Sequence, residues 1–512
     1  MPIDPPGATA SSGAAAPPVA PSAAPSIAAS VAQTASAEPG GLPAADRRTA
    51  ALAVLCFVQF MLVLDDTVVS VALPSIRGDL GFGTAGLAWV VNAYFLSFGG
   101  LLLLGGRMAD LLGRRRVFQW GVALFGAASL LCALAQEPWQ LVTGRFVQGA
   151  GAAIASPAAL SLITCLFPGP EERGRALGVW GGIAGLGGTM GLVVSGALTG
   201  LASWRWIFLI NLPVAAAALV LMPRLVAESR APDPARRLDV PGAVLGTGAV
   251  VALVYGLLQT AESGWGHADS VVPLVLAVVL AAAFVAVEAR TAEPLVPASF
   301  LAVRSRLVAN GATLLVSASL YAMAFLLMLH LQSVLHYEPL TAGLAYLPYG
   351  AGILTGVWLS SRVVAAVGMR WALVVSLLTT AAGNLLLAGI EPGDGYAAGV
   401  LPGLLVTSLG CGLALPALAT AALTDTDEHD AGVGSAVFTS MQQIGGAIGL
   451  ATLVALAAHR ADAVLADGGD PQRAATDGFS LALLVAAALL VLAAALAATL
   501  LKASRTPRDT TT

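Results

Sequence analysis

Three charged side chains inside apolar runs are the residues of this sequence best placed to do chemistry. Asp65 and Asp66 stand side by side in LVLDDTVVSVALPSI, residues 62–76, and Arg145 stands in LVTGRFVQGAGAAIASP, residues 141–157. Hydrocarbon does not tolerate an isolated ion, so such groups pair with one another or face a water-filled cavity, where they serve proton and ion movement. Arg145 has Asp65 or Asp66 as its partner. The set therefore offers proton exchange: a carboxylate that changes charge beside a fixed cation. A carboxylate pair lying close to the outer interface, and merely solvated there, is the bland alternative. On a helix Gln59, Asp66 and Ser70 fall near one face, while Asp65 points roughly 100° away.

A second cluster, GRMADLLGRRR at 106–116, separates two apolar runs. A membrane chain needs a tight turn at the bilayer face, held there by cations that lipid will not admit. Gly113 suits the turn, Gly106 suits close approach of a neighbouring helix, and Asp110 is an anion able to meet a positive helix N-terminus. Arg114 and Arg115 supply the cations.

The elements that position these groups are long and apolar. Of 512 residues, 57% are hydrophobic and only 11% charged, with a mean hydropathy of +0.83. That is too poor in charge for a soluble globular protein. Runs near the roughly 20 residues needed to cross a bilayer occur fourteen times, at about 50–74, 85–106, 117–136, 139–163, 175–199, 205–225, 239–261, 270–290, 306–331, 341–362, 371–390, 397–420, 431–458 and 478–502. With alternate loops assigned to opposite sides, 20 of the 25 Lys and Arg fall on the side of the N-terminus. The positive-inside rule then places both termini in the cytoplasm, which an even number of spans requires. Residues 1–46, rich in Ala, Pro, Ser and Gly, are expected to be a disordered tail rather than a signal peptide. The four cysteines share no metal-ligand spacing and are expected to pack.

The spacing G-x-x-x-D-x-x-G-R-R-R resembles the loop between helices 2 and 3 of the major facilitator superfamily. LDxTVVxVALP in the first span, RFVQGAGAA in the fourth and WRWIFLINLP at 204–213 are similar to the drug:proton antiporters of that superfamily with fourteen spans. The resemblance covers about 50–500. It implies an all-α integral membrane fold of two six-helix bundles, 47–225 and 305–502, with a linker and two additional helices at 226–304 and a short tail at 503–512. It also selects Asp65, rather than Asp66, as the proton-exchanging group, with Arg145 biasing it and Asp66 as a possible second site.

Departures from the family pattern are local. Ser70 stands where Asn is usual, and Asn92 in WVVNAYFLSF stands where Thr is common. The fifth-span motif, usually G-x-x-x-G-P-x-x-G-G, reads Gly187, Gly191, Leu192, Ser195, Gly196, so the proline is missing. Asn92, Tyr94, Gln148 and Gln442 are expected to line a substrate cavity. Gln443 either does the same or bonds between helices. His330 is expected at the outer end of its span. The loop at 361–370 corresponds to 106–116, keeping the cations but lacking an aspartate.

No P-loop, HExxH, metal cluster or nucleophile elbow occurs, so neither ATP-driven transport nor an enzyme is indicated, and no cofactor is expected. Nothing supports nucleic-acid binding. The reading is a monomeric, multi-pass bacterial plasma-membrane efflux transporter, exchanging protons for amphipathic small molecules such as drugs or antibiotics. An uncoupled facilitator or importer is the alternative suggested by the missing proline. A non-transporting receptor or membrane enzyme is the alternative from another class.

Overall fold

The structure, a computed structural model, describes residues 44–230, 238–291, 294–297, 300, 302–424 and 431–501. Most of the expected disordered tail, Arg236 and Arg237, the acidic 425–430 loop and the 503–512 tail lie outside the described residues. Residues 44–46, counted above with the tail, are already helical.

Fourteen helices follow one another among the described residues. They are α1 (Ala44–Leu80), α2 (Thr84–Leu112), α3 (Arg114–Ala133), α4 (Pro138–Leu166), α5 (Pro170–Leu201) and α6 (Trp206–Leu209 with Asn211–Leu225). The middle pair is α7 (Val240–Ser263) and α8 (Ala268–Glu288). The second set is α9 (Arg304–Ser333), α10 (Pro339–Ala345 continuing through 347–367), α11 (369–388), α12 (Tyr396–Val400 with Leu401–Ala422), α13 (Ala431–Ala466) and α14 (Pro471–Leu500). Helices are the form that satisfies every backbone polar group within one segment, which lipid demands.

Twelve of these are long and apolar enough to cross a membrane when Pro339–Ala388 is taken as one piece. Its Leu347–Ala388 portion would extend roughly 63 Å as a single helix, twice the hydrocarbon thickness, and it breaks at Gly368, where φ is +79°. With α5, 32 residues long, the count is fourteen, as the apolar runs require. Gly113, with φ of +110°, makes the corresponding break between α2 and α3. Left-handed backbone at these two sites is why each loop carries a glycine.

The helix starts are set locally. Proline opens α4, α5, α10 and α14, where its missing N–H costs nothing. Asp239 caps α7 by accepting from the Gly242 amide at 2.9 Å. Asp470 caps α14 through the Gln472 and Arg473 amides. At α3 the capping acid comes from a distance: the Glu228 carboxylate accepts from the Arg115 and Arg116 amides, both at 3.1 Å. Asp110 pairs with the Arg114 side chain at 3.1 Å, and Glu228 holds the helix N-terminus.

Among the described residues the two six-helix sets meet where α9 reaches α1, Gln332 Nε2 donating to the Val71 carbonyl at 2.9 Å, and along two further seams. At one, α2 packs on α13, where a Cβ on Gly99 would come within 2.9 Å of the Gln443 side chain. At the other, α5 packs on the start of α10. Helix α7 lies over α2 and α13 together, and α8 packs on α7, leaving Val272, Val275, Val278 and Val279 exposed as a lipid-facing surface. His330, in the last turn of α9, is buried there: its ring stacks on Phe479 with centroids 5.2 Å apart. Cys165 is exposed, unlike the buried Cys56, Cys132 and Cys411.

Alternation of fourteen spans is open to a direct check. In a background without the four native cysteines, Glu137→Cys and Asp467→Cys should react with an impermeant maleimide from one face of the membrane, and Arg230→Cys from the other. Labelling of positions 137 and 467 from opposite faces would remove one span from the count.

The buried ion pair and the central cavity

The adjacent aspartates of α1 face different surroundings. Asp65 is fully buried inside the first six-helix set, and its Oδ2 meets Arg145 Nη1 of α4 at 2.5 Å. Its Oδ1 accepts from Gln148 Nε2 at 2.7 Å and from Asn211 Nδ2 of α6 at 2.8 Å. Gln148 Nε2 also reaches Ser129 Oγ of α3 at 2.9 Å. Arg145 Nε donates to the Val90 carbonyl of α2 at 3.0 Å, and its guanidinium lies 4.4 Å from the Tyr94 ring centroid. One carboxylate and one guanidinium thus connect α1, α2, α4 and α6, and Gln148 carries the network to α3. A buried charge is tolerable only when paired and hydrogen-bonded; Asp65 meets both conditions, while Arg145 is paired but leaves its Nη2 without an acceptor.

Asp66, one residue on, lines a cavity of about 610 Å³ between the two six-helix sets. It is the one charged side chain among the described lining residues. Its Oδ2 accepts from the Tyr321 hydroxyl of α9 at 3.3 Å, and that hydroxyl also lies 3.2 Å from Gln443 Oε1 of α13. Its Oδ1 is buried without a partner. Gln59 and Ser70 share the lining, as helical periodicity indicates, with Thr67 beside them, and Phe98, Trp180, Tyr346 and Tyr349 give it an aromatic wall. Such a surface suits amphipathic molecules, because aromatic rings offer large apolar contact with few polar handles.

Of the residues expected to line the cavity, Tyr94 and Gln442 do. Gln148 is committed to Asp65, Ser129 and Arg145. Asn92 is fully buried outside the lining, with neither side-chain polar atom partnered. Three participants were not assigned from sequence. Asn211 and Ser129 carried only the faint signal of a polar residue in an apolar run, and Tyr321 carried none.

The cavity reaches Ser156 and Leu160 in the C-terminal half of α4 and Gly432 and Ser435 at the N-terminal end of α13. At the other end α5 and α10 close on each other. A Cβ on Gly196 would come within 2.7 Å of the Pro339 carbonyl oxygen, and one on Gly343 within 2.6 Å of the Leu192 carbonyl oxygen. Gly187 and Gly191 pack on α1 instead, against Val63 and Thr67. Gly106 faces Pro157 of α4 at an ordinary contact distance, 3.7 Å from where its Cβ would stand.

Residues 55–450 match the Major Facilitator Superfamily. The chain belongs to that family. This major facilitator protein is 42% identical over 476 residues to the puromycin resistance protein pur8 of Streptomyces alboniger, spanning 91% of this chain and 93% of that one. It is 41% identical over 416 residues to the lincomycin resistance protein of Streptomyces lincolnensis, spanning 80% and 84% of the two chains. Its fold is that of a solved bacterial homologue of the lysosomal transporter Spinster, with TM-score 0.63, 17% identity and coverage of 90% and 97%. It is a multi-pass membrane transporter, not an enzyme.

The two aspartates should separate in stability measurements. Asp65→Ala leaves Arg145 buried without its anion and should cost about 3–5 kcal/mol, read as a large fall in Tm in detergent. Asp66→Asn should leave Tm nearly unchanged. Equal shifts would contradict the assignment of Asp65 to a structural hub. At the α5–α10 contact, Gly196→Val meets backbone atoms, so it should hold the closed end apart and stop transport while substrate binding persists.

Proposed function

We propose that this protein exports amphipathic small molecules, antibiotics among them, across the bacterial cytoplasmic membrane in exchange for protons, by alternating exposure of the central cavity. The observation that carries the reading is Asp66: a lone carboxylate, half unpartnered, in an aromatic cavity between two helical sets. The names of the related puromycin and lincomycin resistance proteins favour export over import, and the arginine sidedness favours cytoplasmic termini.

Asp66 and Asp65 divide the work. Asp66 touches the space that substrate would enter, and a proton on it would neutralise the one charged lining group. Asp65 is enclosed and salt-bridged to Arg145, so the exchange expected of it requires a state in which that pairing opens. In the arrangement seen here Asp66 takes up and gives off the proton, and Asp65 with Arg145 fixes the charge against which Asp66 works. Tyr321 links the result to the second helical set. Its single hydroxyl proton can go to Asp66 or to Gln443, so protonating Asp66 frees it for Gln443.

A ligand or proton shifts a two-state equilibrium only through different affinity for the two states. Here the difference lies in the Asp66–Tyr321 contact, which spans the two sets and is remade when they move. Membrane potential adds about 2.3 kcal/mol per elementary charge per 100 mV. The loops at 106–116 and 361–370 act as the turns about which the helices pivot, and a monomer suffices for this cycle.

Purified protein in liposomes under an imposed pH gradient provides the test, with a cationic and a neutral dye as substrates. Wild type should export both with proton movement. Asp66→Asn should bind dye but lose gradient-driven export, the cationic dye being affected more. Tyr321→Phe should retain binding and export several-fold more slowly. Dye flux without proton movement would replace antiport by facilitated diffusion, and full gradient-driven export by Asp66→Asn would return proton exchange to Asp65.

A further inference from the structure

The two basic turns of this fold satisfy their cations differently. Beside the 106–116 loop each arginine of the run 114–116 meets an acid: Arg114 meets Asp110 at 3.1 Å, and Arg115 and Arg116 meet Glu228 at 3.8 and 3.7 Å. The hairpin of α10 and α11, residues 339–390, contains no Asp, Glu, Lys or His, and Arg362 and Arg370 are its only charged residues. One stands on each side of the break at Gly368. Among the described residues neither has an ion pair or a hydrogen-bond acceptor, and the Nε of Arg370 is buried without one.

Each of these guanidinium groups lies against a tryptophan instead. Arg362 Cζ stands 3.7 Å from the Trp358 ring centroid, and Arg370 Cζ 5.3 Å from that of Trp371. A cation held by a ring face keeps its N–H edges for an acceptor, and the planar fork of those edges matches a phosphate. The two rings are 62% and 51% exposed, so the protein itself does not cover them. Helical spacing puts Leu354, Trp358 and Arg362 in one stripe on α10, and Trp371, Val375 and Leu378 in one stripe on α11. Leu354, Val375 and Leu378 are exposed as well. From the bilayer centre outward, apolar side chain, tryptophan and arginine follow the order of acyl chain, glycerol region and phosphate in a phospholipid.

We propose that the turn between α10 and α11 binds an anionic phospholipid, one whose headgroup brings no cation of its own. Arg362 and Arg370 meet the phosphate, Trp358 and Trp371 the glycerol region, and the two apolar stripes the acyl chains. Charge decides between lipid classes. A zwitterionic headgroup carries an ammonium that these arginines repel, whereas phosphatidylglycerol leaves its negative charge to them. A soluble anion would use the arginines and leave the exposed rings and stripes uncovered. The counter-charge that carboxylates supply beside 106–116 is thus supplied here by the membrane, which holds the break at Gly368 to the bilayer surface.

Lipid binding needs no transport, so its test stands apart from the export reading. Full-length protein in detergent is mixed with phosphatidylglycerol or with phosphatidylcholine of the same acyl chains, and bound lipid is counted by native mass spectrometry. Wild type should hold phosphatidylglycerol at least about tenfold more tightly, each cation contributing about fivefold. Arg362→Gln and Arg370→Gln should each weaken phosphatidylglycerol by about fivefold and leave phosphatidylcholine unchanged. Arg224→Gln, at the end of α6, controls for diffuse surface charge and should change neither. Equal retention of the two lipids by wild type, or an equal loss in the Arg224 variant, would overturn the proposal. Displacement of phosphatidylglycerol by inorganic phosphate at constant ionic strength would overturn it too, by giving the arginines to a soluble anion. If one variant fails to fold, the other variant and the wild-type comparison decide.

Discussion

The buried Asp65–Arg145 pair is the constraint on which the first half of the molecule depends. An arginine inside an apolar helix obliges the chain to bring an anion to it and to occupy the remaining acceptor positions. Asp65, Gln148, Asn211 and the Val90 carbonyl do this from four helices, and Ser129 extends the network to a fifth. Charge pairing thus supplies the specificity that apolar packing in lipid does not, since one apolar helix face resembles another to a lipid chain.

Placing a second aspartate beside the first then has a simple effect. The helix turns about 100° between neighbours, so a rigidly held Asp65 aims Asp66 away from the hub. It aims it at the cavity and at Tyr321 of the other half. The fixed residue orients the exchangeable one. Precision at Asp66 therefore originates in contacts that Asp66 does not make.

Much of this was legible in the sequence, for reasons that differ by feature. Span number follows from apolar length alone, and the turns at Gly113 and Gly368 follow from glycine between basic residues. The cavity face of α1 followed from periodicity, since Gln59, Asp66 and Ser70 do line it together. Lining residues on α2 and α4 were less legible. A polar residue in a span has two ways to be satisfied, by cavity water or by a neighbouring helix, and Gln148 takes the second. Asn92 takes neither in this arrangement. Glu228 was invisible because an acid in a polar linker is unremarkable until the fold sets it against the α3 amides. Tyr321 becomes significant only when two halves of the chain are set face to face.

The ion pairs of this protein also differ in their exposure to dissolved salt. Asp79–Arg205 and Arg460–Asp477 lie at helix ends with side chains 31–48% exposed, within reach of mobile counterions. At physiological ionic strength the screening length is about 8 Å, and no counterion atmosphere penetrates to Asp65 and Arg145, both fully buried. Brine therefore slackens the rim and leaves the centre untouched. A cell that meets osmotic upshock would keep the fixed charge of its transporter at full strength while the helix ends loosen around it.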